Sequence, residues 1–61
     1  MKPPYRIELW NGGNSQLLNV TMSLPAAERV CQESLPNLRA GEVIRVRDAA
    51  GALVLSTDPS D

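Results

Sequence analysis

Apolar residues recur at every second position in four short stretches of this chain, and at helical spacing in one. That pattern leaves few architectures open. Alternation with period two marks a strand with one buried side, and spacing near 3.6 marks a helix with an apolar stripe. Residues 5–10 alternate cleanly: Tyr5, Ile7 and Leu9 fall on one side, Arg6, Glu8 and Trp10 on the other. Residues 17–23 read as a second strand, with Leu18, Val20 and Met22 directed inward and Leu17, Asn19, Thr21 and Ser23 outward. Residues 42–48 place Ile44 and Val46 together, opposed by Val43, Arg45 and Arg47. Residues 52–57 return as a fourth strand. Either Leu53 and Leu55 or Ala52 and Val54 share its outward side, depending on register.

The segment from Pro25 to Leu35 is different. Ala27, Val30, Cys31 and Leu35, with Ala26, recur at helical spacing, and Arg29, Gln32 and Glu33 fall on the wet side. Proline is tolerated in a first helical turn because its missing N–H has no intrahelical partner there. Pro36 disfavours helical geometry in the residue before it and stops the helix near Leu35. A helix of about 11 residues is not stable alone in water and must pack on something. Asn11 to Gln16, rich in Asn and Gly, reads as a loop between the first two strands, and Leu38 is expected to tuck under the connector after the helix. Asp48-Ala49-Ala50-Gly51 suits a type I turn, with Asp first and Gly fourth.

The expected fold is therefore an α+β domain of ββαββ order. Its sheet is four-stranded and mainly antiparallel, with the helix packed on one face. Residues 1–61 form one small domain, with residues 1–4 and 58–61 expected to fray. One short helix cannot cover both sides of four strands, so the second face is expected to be bare.

Composition narrows the function. The 61 residues carry six basic and seven acidic side chains, for a net charge of −1. Such a balance gives no long-range field to draw in nucleic acid or an anionic membrane. Histidine is absent and Cys31 is the one cysteine, so no disulfide framework exists and the thiol lacks an imidazole base. Cys31 sits on the apolar stripe, where core packing is the expected role. Gly12-Gly13 precedes a strand rather than a helix and does not form a phosphate loop. No spacing of carboxylates suggests an acid–base pair, a metal site or a cofactor site. No segment has the apolar core of a secretion signal or the length to cross a bilayer, and a cytoplasmic location is expected. A chain this small gains little more from burial than it loses in ordering entropy, so added burial against a partner or a second copy is a natural remedy.

The candidate site is the bare face itself. Alternation gathers Arg6, Trp10, Leu17, Val43, Arg45 and Arg47 there. Tryptophan and arginine are favoured at contact hot spots because they join large area to directed polarity. Two plainer roles compete: Trp10 shielding the sheet edge near Leu17, and Glu8 pairing with an arginine across strands. The expectation is a non-enzymatic protein-interaction module, an adaptor or inhibitor of the kind phages and other mobile elements carry. It binds a protein partner, or itself as a homodimer, through the bare face or an edge strand. The alternative is a weak nucleic-acid binder, with Trp10 stacking on bases and Arg6, Arg45 and Arg47 on phosphates.

Overall fold

The computed structural model describes all 61 residues. In chain order it has strand β1 (Tyr5–Asn11), strand β2 (Asn14–Thr21), helix α1 (Leu24–Ser34), a 3₁₀ turn (Leu35–Asn37), strand β3 (Glu42–Arg47) and strand β4 (Leu53–Ser56). The strands form one sheet in the order β2-β1-β3-β4, and every neighbouring pair is antiparallel. The ββαββ α+β architecture is the one expected.

Alternation in β1 and β3 sets the inner face. Ile7 stands opposite Val46 and Leu9 opposite Ile44, and directly opposed residues share a face. Ile7, Ile44 and Val46 are completely buried, and Tyr5, Ala27 and Cys31 complete the core beneath α1. Leu9, Leu24, Val30, Leu38, Val54 and Leu55 pack around that centre. Leu38 is tucked in as expected.

The turns follow from local chemistry. β1 and β2 are joined by Gly12 and Gly13 alone, with φ of 63° at Gly12. A tight two-residue hairpin with positive φ at its first central position favours glycine there. The loop is thus shorter than the Asn11–Gln16 span expected, and Asn14, Ser15 and Gln16 belong to β2. Ser23 caps α1: its carbonyl accepts from Ala27 N–H at 3.1 Å and its hydroxyl from Ala26 N–H at 3.4 Å. Between β3 and β4, Gly51 N–H donates to Asp48 O at 3.0 Å, as the type I turn requires. Asp48 is buried, and its Oδ1 accepts from Ala50 and Ala52 N–H at 3.0 and 2.9 Å.

Side-chain placements differ from expectation in β2, in β4, and at Met22 and Leu35. In β2 the register shifts by one residue opposite Ile7 and Glu8, so Leu17 pairs with Glu8 and Asn19 with Ile7. The extra residue, Leu18, breaks the period of two. Val20 therefore lies opposite Arg6 on the bare face, while Asn19 and Thr21 share the helix side with Ile7 and Tyr5. Met22, expected inward, lies beyond the strand and is exposed. A second shift, at Val54, puts Leu53 opposite Arg47 and Leu55 opposite Val46, so these two lie on opposite faces, and Ala52 lies outside the strand. Leu35, expected on the apolar stripe, is 49% exposed at the C-terminal cap of α1, with its N–H still bonded to Cys31 O.

These placements set where truncation hurts. Ile44→Ala should cost about 2–5 kcal/mol through lost burial and the cavity left behind. Leu35→Ala should cost about 1 kcal/mol or less. Urea melts of the two variants check this, and equal losses would mean that Leu35 packs in the core after all.

Candidate functional site

The face not covered by α1 is a grid set by strand register. Across β1 and β3, Trp10 opposes Val43, Glu8 opposes Arg45, and Arg6 opposes Arg47. β2 adds Leu17 beside Glu8 and Val20 beside Arg6. β4 adds Ser56 beside Arg45 and Leu53 beside Arg47. Arg6, Trp10, Leu17, Val43, Arg45 and Arg47 thus all stand on one face.

Its polar groups are largely occupied with one another. Glu8 Oε1 accepts from Trp10 Nε1 at 3.0 Å and from Arg47 Nε at 3.1 Å. The expected cross-strand ion pair exists, but on the diagonal to Arg47 rather than straight across to Arg45. Arg45 lies over the Trp10 ring, 5.3 Å from its centroid, at cation–π range. Trp10 therefore stays over the sheet, toward β3, and does not fold across the β2 edge.

The chain's last residues, for which fraying was expected, reach this face. Asp61 Oδ2 accepts from Arg45 Nε at 2.9 Å, and Asp58 lies 3.7 Å from the same guanidinium. The Ser56 hydroxyl donates to Asp61. The hydrogen bond from Arg45 is the main reason the Asp61 carboxyl is held below its ordinary value, with Ser56 adding to it. Arg45 is raised in turn, chiefly by Asp61. Arg6, exposed, makes no ion pair.

The β2 edge is the other open surface. It lies at the end of the strand order, so one side of its backbone meets no strand. Seven of its eight residues are exposed. Leu17, Leu18 and Val20, with Met22 just beyond, are between 40% and 69% exposed. From Asn11 to Ala27 the chain has no charged residue. That neutral run was readable in the sequence and marks the edge, although alternation alone had sent Val20 and Met22 into the core.

Cys31 lines a shallow groove of about 400 Å³ with Glu28, Gln32, Leu35, Leu55, Ser56 and Thr57. Burial pushes its thiol pKa up, and the negative charge of Glu28 adds to the shift. A thiol so placed is held in its unreactive protonated form. The Asp48 carboxylate is engaged by its own turn. No group of three or more His, Cys, Asp or Glu side chains comes together in a way that could hold a metal ion. No helix is long and apolar enough to cross a membrane. No protein-family model matches the chain, and neither a curated protein nor a solved structure does.

Two outcomes follow. Thiol-specific labelling of native Cys31 at neutral pH should be slow and should accelerate on unfolding; rapid labelling of the folded chain would contradict its burial. The Asp61 carboxyl carbon should titrate below the ordinary aspartate range, and Arg45→Gln should move it back up. Because the folded value is depressed, the tail contact favours folding above the unfolded aspartate value and is lost as pH falls through the folded one. An unchanged Asp61 titration in the Arg45 variant would show that the pair does not persist in solution.

Proposed function

We propose that this chain is a protein-contact module without catalytic activity, working as an adaptor or inhibitor through the β2 edge and the strip of bare sheet face beside it. The observation that carries this reading is β2 itself: an outermost strand, almost wholly exposed, uncharged, with Leu17, Leu18 and Val20 displayed along it. Proteins usually protect such an edge with charge, proline or a covering element, because its free N–H and C=O groups template pairing with another chain. Here Leu18 forms a bulge, but neither charge nor proline occurs in the strand. Adding a strand to an open edge gains main-chain hydrogen bonds, and neighbouring side chains supply specificity. Arg6, Trp10, Val43, Arg45 and Arg47 form the floor beside that edge.

Nucleic-acid binding is less well supported. Trp10 has Arg45 over its ring, Arg47 is held by Glu8, and Arg45 is held by two acidic residues of the tail. A base would have to displace Arg45 to stack, and phosphates would compete with carboxylates already in place. The cytoplasm remains the proposed setting.

Capture with the immobilised chain, run in parallel with retention on DNA at low salt, tests this. Protein should bind the parent chain and be lost with Leu17→Lys, whose charge falls on the contact strip. DNA should be retained weakly or not at all. Tight DNA retention with a steep salt slope would replace the protein-contact reading. Identical capture by parent and variant would remove β2 as its site.

A further inference from the structure

A sheet has two edges, and in this one they differ. β4 is four residues long and carries the register shift at Val54. Beyond it, Thr57 continues the contact with β3 by exchanging two bonds with Ile44, each 2.9 Å. Asp58 and Asp61 then bring acidic side chains to that end of the sheet. Both edges carry a bulge, but shortness and charge further make β4 the poorer template. β2 is twice as long and uncharged.

We infer that two copies of this chain pair through their β2 edges, antiparallel across a twofold axis, so that two four-stranded sheets become one of eight strands. This rests on the protein-contact reading above and names its partner. Head-to-tail pairing of β2 with β4 is disfavoured by the blunted β4 edge, and it would leave β2 open at one end of a growing fibre. Pairing β2 with itself closes the assembly. A twofold brings a strand against its own sequence, so any charge on it risks meeting its like. The neutral run from Asn11 to Ala27 removes that penalty. Leu17 and Val20 lie on the bare face and Leu18 on the helix side, where it lines a groove with Leu9, Val30 and Leu38, so a second copy would find apolar side chains on both faces of the edge. The bulge at Leu18 limits the length of a regular ladder, and the apolar side chains gathered around it supply burial that a short ladder lacks. The Val20 N–H is held by Asn19 Oδ1 at 2.8 Å, a local bond that pairing can exchange for an interchain one.

The size of the core points the same way. Seven of 61 residues are buried. The surface is 4081 Å², close to the roughly 3,900 Å² general for a folded chain of this mass. That surface is ordinary for a folded chain of this length, and the small core leaves apolar side chains on β2 that a second copy would cover.

Sedimentation equilibrium of the whole chain, from micromolar to hundreds of micromolar, tests the inference together with amide hydrogen exchange. A dimer is expected, with β2 amides gaining protection as concentration rises. Two single variants place a charge on the strip without opposing their own neighbours: Leu17→Lys stands beside Glu8, and Val20→Glu beside Arg6. Each should weaken association by about tenfold or more through desolvation and like-charge contact near the axis, while circular dichroism and Trp10 emission stay those of the parent. Leu53→Glu, on the opposite edge strand and beside Arg47, should leave association unchanged. A monomer at hundreds of micromolar overturns the inference, as does a dimer weakened by Leu53→Glu and indifferent to the β2 variants. A monomer that captures a foreign protein in a Leu17-dependent way overturns the second copy as partner and keeps the contact surface. A monomer with no such capture overturns both.

Discussion

A helix of eleven residues can shield one side of a four-stranded sheet and no more. That geometric limit governs the rest of the molecule. Beneath α1 the chain spends its best apolar residues: Ile7, Ile44 and Val46 are wholly buried, and Ala27 and Cys31 let the helix approach them closely because they are small. On the other side, water must be tolerated by side chains one residue away along the same strands. Glu8 and Trp10 on β1 and Arg45 and Arg47 on β3 meet that demand as a connected polar layer, with Arg6 solvated beside them. Glu8 is its hub, accepting from both Trp10 and Arg47.

This layer also explains why the bare face is not uniformly adhesive. An arginine already stacked on an aromatic ring and paired with a carboxylate has less to gain from a new partner than a solvated one. Arg45 is in that position, between Trp10 and Asp61. Exposed ion pairs contribute little to stability, so the arrangement matters more for what it occupies than for what it holds together. The surface without such pairing lies along β2, which is why the proposed contact is placed there.

Much of the fold was legible because β1 and β3 obey the period of two without interruption. Tyr5, Ile7, Ile44 and Val46 were assigned to the core from alternation alone, and they are its centre. β2 and β4 were misread at the positions where a bulge adds a residue. Leu18 and Val54 are unremarkable in sequence, and nothing in the residues before them announces the shift. Leu35 keeps the helical spacing and bonds its N–H to Cys31 O, but it stands at the helix end, and spacing alone does not tell how far cover extends along the stripe. The diagonal pair of Glu8 and Arg47 depends on β1 lying beside β3, which local pattern does not fix. Strand order comes from which hairpins pack together, a property of the whole chain.

The neutral run from Asn11 to Ala27 carries information of another kind. In a chain with thirteen charged residues among 61, a gap of that extent over an edge strand and its turn removes the usual obstacle to pairing between sheets. A buried strand needs no charge, because its neighbours exclude other chains. An edge strand without charge is protected only by its partner, or it is exposed to any strand that arrives. The bulge at Leu18 adds local twist, which shortens the stretch available and raises the geometric demand on whatever pairs there. Neutrality admits a partner, and the bulge restricts which one fits. A strand with the same bulge and the same apolar residues, related by a twofold, meets both conditions without any further feature in the sequence.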